Sequence, residues 1–206
     1  STDFFQTRNF GVRWNHSQDS KARPGTTFSA SVNFSSPSNS KYNSMDVEQA
    51  LQNQISSSIS YSKNWNGKMN LSVNLLHSRD SSYSFSLPNI TFSVNRFYPF
   101  KKKNRVGKEK WYEKFSLGYN TSFQNKIQFK ASEFNKPGFL DKFQNGMTHN
   151  FQIGLPNFTA FKYINITPGI SYGMNWFFRK TEKQYNAELG KVEDIKGKAF
   201  GTFGVT

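Results

Sequence analysis

Three histidines, His16, His77 and His149, are the side chains of this chain best suited to hold a metal or move a proton near neutral pH. None lies at the spacing of a metal or metalloprotease motif, so each reads as a polar residue near a strand end. Carboxylates are sparse and fall mainly in predicted loops, as Asp46, Glu48, Glu182, Glu188, Glu193 and Asp194 do. No pair of them is spaced for general acid–base work. The chain has no cysteine, which removes disulfides and thiol nucleophiles. Serines are many, but no motif selects one as a nucleophile. The reading is a protein with no catalytic, cofactor-binding or metal-binding residues and no cofactor, hence not an enzyme.

Charge is the next signal. Lys and Arg number 27 against 13 Asp and Glu in 206 residues, a net +14. Such an excess calls for an acidic partner: nucleic acid, anionic lipid or an acidic glycan. The densest run is Lys101, Lys102, Lys103, Arg105, Lys108 and Lys110, beside Trp111 and Tyr112. A solvated turn explains it first, contact with lipid headgroups second. Stacking on nucleic acid ranks last, and no nucleic-acid partner is expected. Asn-x-Ser/Thr sequons at Asn70, Asn89, Asn157 and Asn165 fall inside predicted strands and are discounted as glycan acceptors.

The elements that carry these residues alternate with period two from end to end. In "TFSASVNF", Phe28, Ala30, Val32 and Phe34 oppose Ser29, Ser31 and Asn33; in "MNLSVNLL", Met69, Leu71, Val73 and Leu75 oppose Asn70, Ser72 and Asn74. Ile164, Ile166, Ile170, Tyr172, Met174 and Trp176 likewise oppose Asn165, Ser171 and Asn175. Each strand has an apolar face and an uncharged polar face. About nine strands follow, near 4–15, 26–35, 54–64, 68–79, 83–97, 111–122, 147–160, 163–178 and 198–206. Several are longer than the 5–6 residues usual in soluble domains and match the 9–11 of a membrane-spanning strand. Short and long connections nearly alternate, as in outer-membrane barrels. No apolar run approaches the 18 or so residues of a membrane helix. "SMDVEQALQNQ" reads as a short helix within a loop, and "NAELGKVEDIKGK" as a solvated loop. The chain opens at Ser1 without Met or an apolar leader, so a mature protein or a fragment is expected.

The expected architecture is all-β: an antiparallel transmembrane β-barrel segment over 1–206, one domain, belonging to a larger barrel. Trp65, Phe97, Tyr98, Trp111, Tyr112, Phe161 and Tyr163 cluster by the short connections and form a membrane-interface girdle in this reading. The polar face lines a hydrated path, with Asn33, Ser58, Asn74, Asn120, Asn165 and Ser171 as its candidate residues. Two runs, "SLPNITF" and "GLPNFTAF", carry proline inside a strand pattern. Apolar residues shift from odd positions (Phe85, Leu87) to even ones (Ile90, Phe92), and again from Phe151 and Ile153 to Phe158 and Ala160. Bulges at Pro88–Asn89 and Pro156–Asn157 account for both slips.

"WNHSQDSKARPGTTFSASVNFSS", "LPNITFSVNRFYPFKKK", "WYEKFSLGYN" and "FKYINITPGISYGMNW" together resemble the outer-membrane lipopolysaccharide-assembly protein LptD of the Bacteroidota type. The resemblance spans nearly the whole chain. It implies a segment of a C-terminal barrel of about 26 strands that places lipopolysaccharide in the outer leaflet of a Gram-negative outer membrane. It further implies lipopolysaccharide and outer-membrane lipid as partners, with a plug lipoprotein (LptE), a periplasmic bridge and the remaining barrel strands of the same protein. The family's periplasmic jellyroll has no counterpart here, and neither strand of its lateral gate maps onto this chain. Two rivals stay open on the residues alone: another outer-membrane barrel, porin-like or enzymatic, and a soluble β-sandwich that binds glycan.

Overall fold

A computed structural model describes residues 11–19, 21–35, 55–79, 82–104, 106–134, 136–187 and 190–206. The expected helix in "SMDVEQALQNQ" and the start of the strand expected near 4–15 lie outside these residues.

Period-two sequence becomes strand almost throughout. Among the described residues, nine strands form one antiparallel sheet in the order β1 (Gly11–Ser17), β2 (Thr26–Ser35), β3 (Ile55–Trp65), β4 (Met69–Arg79), β5 (Tyr83–Phe97), β6 (Ser116–Phe129), β7 (Gln144–Gly154), β10 (Gly169–Phe177) and β13 (Phe200–Val205). Two small hairpins pair only with themselves: β8 (Phe158–Ala160) with β9 (Ile164–Ile166), and β11 (Lys180–Asn186) with β12 (Lys191–Gly197). Among the described residues every neighbour within the nine-stranded sheet is the next strand in the chain apart from these insertions, and β1 and β13 are its edges. β3, β4 and β7 have 11 residues, β6 has 14 and β5 has 15. At about 3.3 Å per residue these run roughly 36–50 Å, longer than strands of ordinary soluble domains.

Four expectations need correction. Trp111–Lys114 is a turn of 3-10 helix, not the start of a strand. The Lys110 N–H donates to the Glu113 carboxylate at 2.9 Å, closing a local turn that outcompetes extension. The strand that follows runs on to Phe129, through residues expected in a loop. The mixed-charge stretch around 180–197 is the β11–β12 hairpin, turned at Gly190 with φ +61°. Its register sets Tyr185 opposite Val192, an apolar cross-strand pair that the surrounding charges mask in the sequence.

The fourth correction concerns Pro156–Asn157. The single strand expected over 147–160 is two strands, β7 and β8, with residues 155–157 between them. The opposite side of the hairpin breaks too, between β9 and β10 at residues 167–168. Pro156 and Pro168, neither of which has an N–H for the ladder, sit in these two breaks. The ladder pairs Gly154 with Gly169, then resumes with Phe158 opposite Ile166. Three residues on one side therefore face two on the other, so the side-chain phase shifts by one. At the other proline, β5 stays one strand through a cis Leu87–Pro88 peptide.

Contacts divide the chain into two compact units. The first comprises Ser1–Ser62, Val73–Asn89 and Asn125–Gln144. Its apolar nucleus is a run of rings: His77 on Phe85 at 4.5 Å, Phe85 on Phe129 at 5.9 Å, and Phe129 edge-on to Phe139 at 4.8 Å. Ile127 and Phe129 are buried beside them. The second comprises Lys63–Ser72, Ile90–Gln124 and Asn145–Thr206. Here Tyr119 packs on Phe151 at 4.8 Å, Phe151 on Tyr172 at 6.2 Å, and His149 on Trp176 at 4.4 Å. The Tyr119 hydroxyl and His149 Nδ1 share a 2.8 Å hydrogen bond. Among the described residues only Ala30, Ile127 and Phe129 are buried hydrophobics, while Trp111, Phe161, Tyr163 and Phe203 stay largely exposed.

Candidate functional site: the polar face and a basic cavity

The polar phase of the strands is stitched across the sheet by neutral side chains. In the first unit Thr27 bonds Ser62 at 2.5 Å, Ser29 bonds Ser60 at 2.7 Å, and the Ser31 hydroxyl donates to Asn15 at 2.9 Å. In the second, the Asn64 amide donates to Asn70, and Asn95 donates to the Gly67 carbonyl at 2.5 Å beside the Asn66-Gly67 turn. Ser and Asn recur here because a hydroxyl or amide can both give and accept, which lets cross-strand neighbours satisfy each other without charge.

The structure spreads the six candidate path residues rather than gathering them. The Asn33 backbone N–H and carbonyl both bond the Ser57 hydroxyl, each at 2.9 Å. Ser58 borders a groove of about 280 Å³ whose other walls include Val32, Ile59, Leu75 and Phe85, so its surroundings are apolar. Asn74 is half-buried on β4 and Asn120 is exposed on β6. Asn165 lies on β9, outside the nine-stranded sheet, where it accepts from Thr159 at 2.8 Å. Ser171 alone reaches a large cavity, its hydroxyl 2.5 Å from that of Thr206.

All seven girdle aromatics fall in the second unit, in or beside the β3–β4, β5–β6 and β8–β9 connections. Lys63 sits 5.1 Å over Trp65, Lys101 5.4 Å over Tyr98 and Lys110 5.8 Å over Tyr112. Phe161 and Tyr163, 86% and 90% exposed, cap the β8–β9 tip, where Phe161 and Lys162 both hold positive φ. Tyr98 also lines the cavity.

That cavity, about 910 Å³, opens within the second unit. Its cations are Arg96, Lys101 and Lys114, against one carboxylate, Glu109. Ser116, Gln152 and Gly154 contribute polar-phase wall from β6 and β7. A Cβ on Gly154 would meet the Ser116 Oγ and stand 3.8 Å from the Arg96 guanidinium carbon, so a larger residue there requires the Ser116 hydroxyl to turn away. None of Arg96, Lys114, Ser116 or Gly154 stands out in the sequence. Arg96 on β5, Lys114 and Ser116 at the start of β6 and Gly154 on β7 are separated in the chain, and the adjacency of β5, β6 and β7 in the sheet brings them together.

Outside the strands, Glu133 anchors the β6–β7 connection. Its carboxylate binds Lys142 at 2.8 Å and accepts the Lys130 N–H at 2.9 Å. These bonds, the one from Lys142 first, hold its pKa below the usual carboxylate value. Among the described residues no group of three or more His, Asp or Glu could hold a metal ion.

The chain matches a family model described as LptD protein over residues 1–205. The chain belongs to the LptD protein family. Membership places it in a family of outer-membrane proteins that act in lipopolysaccharide transport, a transport component and not an enzyme family. No curated protein and no solved structure matches the chain.

Proposed function

We propose that this chain is a wall segment of a transmembrane barrel that inserts lipopolysaccharide into the outer leaflet of a Gram-negative outer membrane. The apolar phase faces lipid and the Ser/Asn phase faces a hydrated lumen through which the sugar portion passes. The observation that carries the reading is the two-faced construction of strands 11 to 15 residues long. Tilted strands of about 9–11 residues already cross a hydrocarbon core. A soluble domain would bury rings such as Trp176 and Phe203, which here lie open on the apolar phase.

In this reading the seven aromatics of the second unit are the interface girdle, with the lysines over Trp65, Tyr98 and Tyr112 reaching the headgroups. A plug lipoprotein, a periplasmic bridge and further strands of the same wall complete the machine. The test is depletion of the full-length protein followed by labelling of surface lipopolysaccharide. The label should fall with depletion; an unchanged surface signal refutes the transport role.

A further inference from the structure

The cavity of the second unit has a composition that general wall-filling does not require. We infer that it is a binding site for a phosphorylated sugar.

The argument begins with its floor. Gly154 and Gly169 are direct partners across β7 and β10, so two adjacent positions of the wall carry no side chain. Ser116 stands where a Gly154 side chain would project. Beside this pair opens a recess of about 910 Å³, at the upper end of small-molecule pockets and far larger than a bare phosphate needs.

Charge supplies the second point. Arg96, Lys101 and Lys114 come from the end of β5, the connection after it and the turn before β6, and they converge on one recess. Three cations against Glu109 leave the recess positive, and charge-assisted bonds to phosphate oxygens are the strong class of hydrogen bond. The remaining polar wall, Ser116, Gln152, Asn157, Thr167 and Ser171, is neutral, which suits sugar hydroxyls, and Tyr98 offers a ring face. Anion seat, neutral donors and aromatic face in one recess fit a sugar phosphate better than a free ion or an acidic peptide.

The role of this site in transport rests on the proposed function, but the binding does not. Binding is read on purified protein and transport in cells, so either can fail alone. The experiment titrates the full-length protein, in neutral detergent, with glucose 1-phosphate, glucose, inorganic phosphate, glycerol phosphate and a tetraglutamate peptide. Glucose 1-phosphate should bind at least about tenfold more tightly than each of the others. The triple variant Arg96→Gln, Lys101→Gln, Lys114→Gln should weaken it at least about tenfold. Removing the same charge elsewhere, with Lys126→Gln, Lys136→Gln and Lys162→Gln, should leave it unchanged. Gly169→Leu fills the floor without altering charge and should also abolish binding, which covers a failure of the triple variant to fold. Equal binding of glycerol phosphate or inorganic phosphate would overturn the sugar assignment in favour of a lipid headgroup or a free ion. Equal binding of tetraglutamate would make the site a protein contact. Equal loss in both triple variants would show only a general field.

Discussion

At the scale of single residues, the wall is built as much by absent side chains as by present ones. At Gly154 the Ser116 hydroxyl occupies the space a Cβ would take. Gly154→Ala is expected to destabilise the protein by about 1–3 kcal/mol, the usual cost of overpacking. Ser116→Ala in the same chain should recover most of that loss, since the Ser116 Cβ is an ordinary 3.7 Å away. Thermal unfolding of the single and double variants in detergent measures it, and additive losses would show that the contact is not the cause. The histidines make a related point. His16 stacks on Trp14 at 6.0 Å, His77 on Phe85 and His149 on Trp176, so each is a ring among rings. Their expected lack of metal spacing was readable from the sequence; their aromatic company was not.

At the scale of elements, strand positions were legible wherever alternation was clean. β2 and β5 lie where period two put them, and β3 and β4 lie within a residue of it. The misses have local causes: a Lys110–Glu113 turn displaced the start of β6, and charge hid the β11–β12 hairpin. The cavity was illegible because its parts join only through strand register. We propose a bulge at Pro88–Asn89 in β5. Phe85 stacks on Phe129 and Phe92 on Tyr119, an odd and an even position of β5 meeting two odd positions of β6. The Leu87 carbonyl also takes a side-chain amide, from Asn125 at 2.6 Å, in the manner of an interrupted ladder. The β6–β7 connection yields a pH prediction. Glu133 has a folded-state pKa below its ordinary 4.5, so its contribution is complete above that value and is lost as pH falls through the lowered one. Amide protection across residues 130–143 should hold down to about pH 4.5 and then decline. Glu133→Gln should lower the protection and remove the pH step; an unchanged step would assign it to another group.

At the scale of the whole molecule, the two phases of the sheet predict opposite tolerance to charge. Val73 and Asn74 are neighbours on β4, one in the apolar phase and one in the polar. In the proposed barrel Val73→Lys places a charge against lipid, at about 2–4 kcal/mol near the bilayer midplane, and should reduce the amount assembled in the outer membrane. Asn74→Lys faces water in the same reading and should assemble like the parent. Heat-modifiable migration of the extracted protein separates the two, and equal loss would remove the membrane assignment of the faces.

Among the described residues β13 pairs on one side alone, with β10. Its strand offers a row of backbone donors and acceptors to whatever lies beyond Phe200–Val205. In hydrocarbon each such group left unmatched costs several kcal/mol. A wall that stops at β13 is therefore rejected by the bilayer itself, whatever the quality of its apolar face. In the proposed barrel the membrane itself would then act as a proofreader of assembly, favouring the finished ring over the partial one.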